Sequence, residues 1–378
     1  MLQEYKLTHS QLNSFLIEYE ARKLGLNCHR LNHYLLIVSD KMGKEALFRR
    51  AAGPDVSYSS DIVAMNKDMA KRIWYKKQIP INPWVTVSTN ESDFKIAEEF
   101  ARAFDWGVVV KPIAGAGGRN VYTDISCKKE LINAIHSAAQ ARVTNTKYLG
   151  PKIVMIERKF NAPDYRFFIV NGIVEGVLER VRPYIIGDGR KSISLLIQEK
   201  AIARMHNPDL LSRPLIIDEE VYARISNEGY KMDDVLPHMR NIILRGNANI
   251  STGGESVDIT DKISVKIKSF IQNGILAIPN LRTCAVDVLS KNIMNDNDLS
   301  NSNIVFNEIE SDAAMCMHHF PMRGKPRNIA QKILTSFFEI KMEVVSDYLH
   351  DFETNGELVE EVINSIKNTY YDFNSYEL

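Results

Sequence analysis

Cysteine is scarce in this chain, with four among 378 residues. Cys28, Cys127, Cys284 and Cys316 lie far apart and form no CxxC pair, which argues against a zinc ribbon or a disulfide framework. Excess charge is absent as well. The 47 basic and 47 acidic side chains cancel, so no long-range field gathers nucleic acid or an anionic membrane. No apolar run approaches the ~18 residues of a membrane span, and the opening MLQEYKLTHSQ lacks the apolar centre of a secretory signal. The expectation is a cytoplasmic protein of small-molecule metabolism, without nucleic-acid or membrane partners, and with a homodimer as the default assembly. Spellings for common chemistries are missing too: GxxxxGK[ST], HExxH and GxSxG do not occur, so catalysis by a protein nucleophile is not indicated.

What is present is a mixture of helical and strand periodicities. A helix-like stretch at Gln11–Leu24 precedes the apolar segment Tyr34–Val38, and a second helix runs from Asn66 to Lys77. A Pro-bearing strand, Ile79–Val87, follows. Ser92 reads as the N-cap of a helix whose Phe94, Ala97, Phe100, Ala101 and Phe104 share a face. Arg166–Val170, Asn171-Gly172 and Ile173–Leu178 spell a hairpin, because Asn-Gly supplies the positive φ angles of a type I′ turn. A polar insertion spans 187–245. Strands resume at Thr283–Leu289 and Asn303–Glu310. Two amphipathic helices close the chain, one carrying Ile329, Ile333, Phe337, Ile340, Val344 and Tyr348, the other Leu358, Val362 and Ile366. Beyond Asp347 acids predominate, and this end reads as a solvated helical tail, with docking on a neighbour as the alternative.

Three segments carry chemistry. Val108-Val109-Val110 delivers Lys111 at a strand end, and Gly115, Gly117 and Gly118 follow. Glycines let backbone N–H groups approach a phosphate, and Lys111 adds a positive charge; a simple Gly-rich hairpin is the other reading. Second, period-two alternation along residues 304–310 puts Glu308 and Glu310 on one strand face, with Asp287 able to join them from a neighbouring strand. Acids gathered in an apolar setting such as Ala285-Val286-Asp287-Val288 point to a hard cation; a solvent-facing acidic stripe is the alternative. Third, Met155–Arg166 ends an apolar strand in acceptors, one aromatic and Asp-x-Arg, a composition suited to an adenine and a ribose. Arg180, Arg182 and Arg245 are candidate anion holders, and His318-His319 reads as structural.

Taken in order, these features resemble an ATP-grasp ligase, and within that superfamily the ATP-grasp region of cyanophycin synthetases. The likeness runs from about Leu16 to Leu334 and includes Ala64-Met65-Asn66-Lys67, the Lys111 loop, Glu157-Arg158…Asp164-Tyr165-Arg166 and Gly187-Asp188-Gly189. It continues through Asn249-Ile250-Ser251-Thr252-Gly253-Gly254, Val286-Asp287-Val288 and Glu308-Ile309-Glu310. The resemblance implies an α/β (α+β) fold with the nucleotide held between two antiparallel sheets and a small N-terminal α/β unit. It implies an N-terminal unit at 1–62, a lid domain at 63–156, a core domain at 157–345 with the 187–245 insertion, and an acidic helical tail at 346–378.

The same resemblance implies roles. Lys67 and Lys111 would hold ATP phosphates under a loop of Gly115, Gly117 and Gly118. Glu157, Arg158 and Phe160 would line the adenine cleft, and Asp164 would hold the ribose. Asp287, Glu308 and Glu310 would bind magnesium, with two ions expected and Mn2+ as a substitute. Arg166, Arg180 and Asn249 would contact an acyl phosphate or the carboxylate substrate. Position 310 departs from the pattern, being Glu where the family usually has Asn, which adds negative charge at the metal site. The further N-terminal and Mur-ligase-like domains of cyanophycin synthetases have no counterpart here, so a stand-alone amino-acid or peptide ligase is expected. Alternatives are a ligase that modifies a ribosomal precursor peptide and a catalytically silent nucleotide-binding module.

Overall fold

The structure, a computed structural model, describes residues 2–115, 118–141, 153–341, 352 and 354–368. The chain folds into two compact units that interleave in sequence. One comprises Met1–Asp55, Phe168–Thr260 and Asp312–Leu378; the other comprises Val56–Phe167 and Asp261–Ser311.

The first unit opens with α1 (His9–Lys23), whose N-cap Thr8 forms a reciprocal capping box with Gln11. Strands β1 (Asn27–Arg30), β2 (Leu35–Ser39) and β3 (Glu45–Arg49) follow as an antiparallel meander.

The chain then enters the second unit through α2 (Tyr58–Met65) and α3 (Lys67–Lys76), followed by β4 (Trp84–Val87), α4 (Glu91–Ala103), β5 (Val108–Pro112), α5 (Lys128–Ala139), β6 (Val154–Arg158) and the start of β7 (Asp164–Val170), which belongs to the first unit from Phe168 onward. Strands β4, β6 and β5 form one antiparallel sheet with β6 at its centre. Alternation along it decides where chemistry can sit. Val108, Val110, Val154 and Ile156 face Ala97 and Ala101 of α4 and Leu131 and Ile135 of α5 in an apolar core. Lys111 and Glu157, one residue out of phase with that set, are thereby turned to the opposite face. Helix α4 is capped by Asn90, which accepts from the Asp93 N–H at 2.9 Å, rather than by the expected Ser92. Ser92 instead lies inside the first turn and donates to Asn90 Oδ1.

Back in the first unit, the hairpin turn at Asn171 and Gly172 has φ of 50° and 81°, as the Asn-Gly pair predicts. Next come β8 (Ile173–Val181), β9 (Tyr184–Ile186), α6 (Ile193–Met205), α7 (Glu219–Asn227), β10 (Asn241–Ile243) and β11 (Glu255–Asp258). The 187–245 stretch, which reads as polar in sequence, has its own apolar centre of Ile193, Ile197, Val221, Ile225, Leu236 and Ile242.

The second unit is completed by α8 (Val265–Leu276), β12 (Cys284–Ser290) and β13 (Ile304–Glu310). The β12–β13 ladder shifts register between Asp287 and Val288, so that Glu308 pairs with Asp287 and Phe306 with Val288, and Asn307 is the extra residue. The first unit ends with α9 (Cys316–His319), α10 (Ile329–Phe338) and α11 (Gly356–Asn368). The periodicity through Ile340 overruns α10, which stops at Glu339 in the left-handed region with φ of 56°; Val344 and Tyr348 fall outside the described residues. Helix α11 is not the solvated end expected. It buries Val359, Val362, Ile363 and Ile366, and its Glu361 meets Arg22 of α1 at 2.5 Å.

Candidate active site

The candidate site lies wholly within the second unit and begins with α3. Asn66 caps this helix, accepting from the N–H groups of Asp68 and Met69, both at 3.1 Å. Lys67, Lys71 and Trp74 are spaced i, i+4, i+7 and share one helical face. Trp74 is fully buried: it packs on Phe306 at 5.3 Å and its indole N–H donates to the Gly274 carbonyl at 2.9 Å. Asp68 accepts from the Trp84 indole at 2.8 Å, tying the same helix to β4. With α3 anchored in this way, both lysines are directed at the sheets.

Lys111 on β5 and Glu157 on β6 are diagonal neighbours, since Lys111 pairs with Met155 and Val109 with Glu157. Their side chains meet at 2.5 Å, and Lys71 reaches the other Glu157 oxygen at 3.0 Å. Burial alone would raise the Glu157 carboxyl, but Lys111 and Lys71 hold it down to about 2. Burial also lowers the Lys71 amine, which Glu157 only partly offsets.

The second sheet supplies the acids. Asp287 and Glu308 are directly opposite in register. Arg166 of β7 forks onto both Asp287 oxygens at 2.7 and 2.9 Å and also reaches Glu310 at 2.7 Å. Burial opposes the charge on Arg166, yet Asp287 and Glu310 raise its pKa well above the usual guanidinium value. Lys67 closes the circle: its amine lies 2.8 Å from Glu308 and donates to the Gly115 carbonyl at 2.9 Å. The bulge matters here. Phe306 and Ile309 are buried, whereas Asn307 and Glu308, consecutive in sequence, are both partly open. Asn307 Oδ1 thereby comes within 3.4 Å of the Lys111 amine.

Of the residues expected from sequence, Lys67, Lys111, Glu157, Arg166, Asp287, Glu308 and Glu310 are joined in this network. Gly115 touches it through its carbonyl and has φ of 139°, and Gly118 has φ of 67°. Gly117 lies outside the described residues. Asp164 opens β7 half-buried, Arg158 is exposed, and Phe160 lies under the Lys291 amine at 5.4 Å. Arg180 and Asn249 belong to the first unit. There Arg180 pairs in register with Ser256, and Asn249 caps the short turn Ile250–Thr252. That turn is held from below by Arg204, whose buried guanidinium donates to the carbonyls of Gly253, Gly254 and Ile250.

Sequence reasoning missed Lys71 and Asn307. The first was signalled by its i+4 spacing from Lys67; the second had no local signal, because a bulge is invisible to a period-two reading. Arg245 is no free anion holder: it is clamped by Asp218 and Glu220, both at 2.9 Å. In the first unit His9, Asp209 and Cys316 converge in a set that could suit a metal ion. The Arg213 guanidinium already fills it, 2.6 Å from Asp209 and hydrogen-bonded to His9. Among the described residues, no helix is long and apolar enough to cross a membrane.

No family model matches the chain. It is 28% identical over 296 residues to the cyanophycin synthetase of Trichormus variabilis, a match covering 78% of this chain and 31% of that protein. It is 31% identical over 187 residues to the glutathione biosynthesis bifunctional protein GshAB of Streptococcus mutans, covering 49% of this chain and 25% of that protein. Among solved structures, a bifunctional glutathione synthetase from Pasteurella multocida matches with a TM-score of 0.64 at 22% identity, over 87% of this chain and 43% of that one. The chain thus spans between a quarter and somewhat under half the length of these relatives.

Proposed function

This chain has the ATP-grasp fold and is related to cyanophycin synthetases, and from that premise we propose that it is an ADP-forming ligase joining a carboxylate to an amine. The substrates on this reading are amino acids or small peptides. The observation that carries it is the meeting of two lysines from separate elements, Lys67 and Lys111, with the acid-rich strands β12 and β13.

Lys67 and Lys111 bind the phosphates of ATP, and the backbone at Gly115 and Gly118 lies beside them. Residues Glu157 to Phe160 line the adenine side and Asp164 takes the ribose. The donors available to a metal are oxygens only, from Asp287, Glu308, Glu310 and the Asn307 amide, which fits Mg2+ better than a softer ion. When bound there, Mg2+ would neutralise phosphate charge. Before an ion binds, Lys67 is paired with Glu308 while Asp287 and Glu310 share Arg166, so the three carboxylates carry one more charge than the two cations on them. A phosphate that draws Lys67 away frees Glu308 as an oxygen ligand.

The γ-phosphoryl group passes from ATP to a substrate carboxylate oxygen, giving ADP and an acyl phosphate. An amine then adds to the acyl carbon, loses its proton and expels phosphate. Within the second unit Arg166 is the residue placed to hold the acyl group. Such a site works by positioning and charge neutralisation.

The test is ADP release from Mg-ATP with and without pooled amino acids and dipeptides, coupled to mass spectrometry for products equal to two substrates less one water. Lys111→Ala and Glu308→Ala are expected to abolish turnover while unfolding remains cooperative. Near-normal turnover in either variant, or no amide product from any pool, would refute the reading.

A further inference from the structure

Lys71 has no direct place among the phosphate-binding groups, yet it is the most deeply buried cation of the site, with no exposed surface. An ammonium group is costly to bury, and a methionine would fill the same volume more cheaply. Its amine lies 3.0 Å from Glu157 Oε2, while Lys111 holds Glu157 Oε1 at 2.5 Å. The Lys71 contact falls outside hydrogen-bond geometry, and neither atom has a hydrogen-bond partner among the described residues. One carboxylate thus serves two lysines of different standing. Lys111 hydrogen-bonds it and also faces Asn307, toward the acid-rich strands. Lys71 is enclosed on α3 beside the Trp84 ring at 5.9 Å and has no second anion in reach among the described contacts.

Resting on the nucleotide-binding reading above, we infer that Lys71 is a positioning residue, the fixed counterion of Glu157 that releases Lys111 to bind a phosphate. The balance of charge gives the reason. If Glu157 had Lys111 alone, drawing that lysine onto a phosphate would strand a buried carboxylate, and the loss would be subtracted from nucleotide affinity. With Lys71 behind it, Glu157 stays neutralised and Lys111 can leave. The pair of lysines around one acid also leaves one positive charge uncompensated, which favours an incoming anion.

Titration calorimetry with Mg-ATP and with adenosine tests this on wild type, Lys71→Met and Lys71→Met/Glu157→Gln. In Lys71→Met, Mg-ATP affinity is expected to fall by roughly 10- to 100-fold while adenosine affinity is unchanged. Because Glu157 also borders the adenine side, the double variant is read against adenosine: adding Glu157→Gln removes the stranded charge and returns the ratio of Mg-ATP to adenosine affinity to within about threefold of wild type. A general packing defect would weaken both ligands and would not be rescued by a second substitution. Wild-type Mg-ATP affinity in Lys71→Met, or no rescue in the double variant, overturns the inference and leaves nucleotide binding standing. Absence of Mg-ATP binding by wild type overturns both. Should Lys71→Met fail to fold, the double variant decides alone, and a tenfold or greater fall in its ratio of Mg-ATP to adenosine affinity counts against the inference.

Discussion

Asp287 stands directly across from Glu308 in the β12–β13 ladder, two carboxylates on one face of one strand pair. Like charges so placed repel, and the fold answers each with its own cation. Arg166 forks onto Asp287, and Lys67 reaches Glu308 at 2.8 Å. Several expectations come from the way those charges are matched.

Replacing Arg166 with Met removes the fork on Asp287 and the 2.7 Å contact to Glu310. Removing one member of such a buried network costs on the order of 3–5 kcal/mol. Urea denaturation of Arg166→Met should show that loss, and a change below about 1 kcal/mol would mean that the acids are matched by something else.

Acid stability should depend on Glu157. Its folded pKa is held at about 2, against an ordinary 4.5. Between those values the unfolded chain takes up the proton and the folded one does not, so stability falls as pH falls through that window. The stability advantage of wild type over Glu157→Gln, measured by unfolding at stepped pH, should be full above 4.5 and should shrink toward pH 2. An advantage independent of pH in this range would show that the carboxylate is not ionised in the fold.

The cap of α3 is a separate lever. Asn66→Ala should destabilise the protein by about 1 kcal/mol, and Asn66→Asp should recover most of it. Because the cap sets the first turn that carries Lys67, Mg-ATP affinity should weaken together with stability. Unchanged denaturation midpoints in Asn66→Ala would contradict the assignment.

Thiol reactivity should divide the four cysteines. Cys127 is exposed, whereas Cys284 and Cys316 are buried. Burial, and then the Asp209 carboxylate, push the Cys316 thiol well above its usual pKa, and burial pushes Cys28 up to about 12. Native alkylation at neutral pH followed by peptide mass spectrometry should therefore mark Cys127 first. Labelling of Cys316 at the rate seen in denaturant would be incompatible with this packing.

Local pattern determined a good deal. The Asn171-Gly172 turn, the strands β5, β12 and β13, helix α3 and the side of β13 that bears Glu308 and Glu310 all follow from residues within one or two turns of each other. So does the separation of Lys111 from its valine neighbours, since strand alternation needs no knowledge of the partner. Helix ends were less legible: Asn90 and Ser92 both suit an N-cap, and only the backbone path chose the first. What lay beyond reach was which faces meet. Nothing near Arg166 names Asp287 and Glu310 as its partners, and nothing near Lys71 names Glu157, because these contacts are set by how α3 and the two sheets pack. The bulge at Asn307 belongs to the same class, being the adjustment one strand makes to its neighbour. In α11 the apolar stripe announced a buried face, but that a helix so rich in acids lies along α1 is decided by packing and by the Arg22–Glu361 pair. Secondary structure is a property of short stretches, whereas the charge balance of a site is a property of surfaces distant in the chain, and only the folded molecule brings them together.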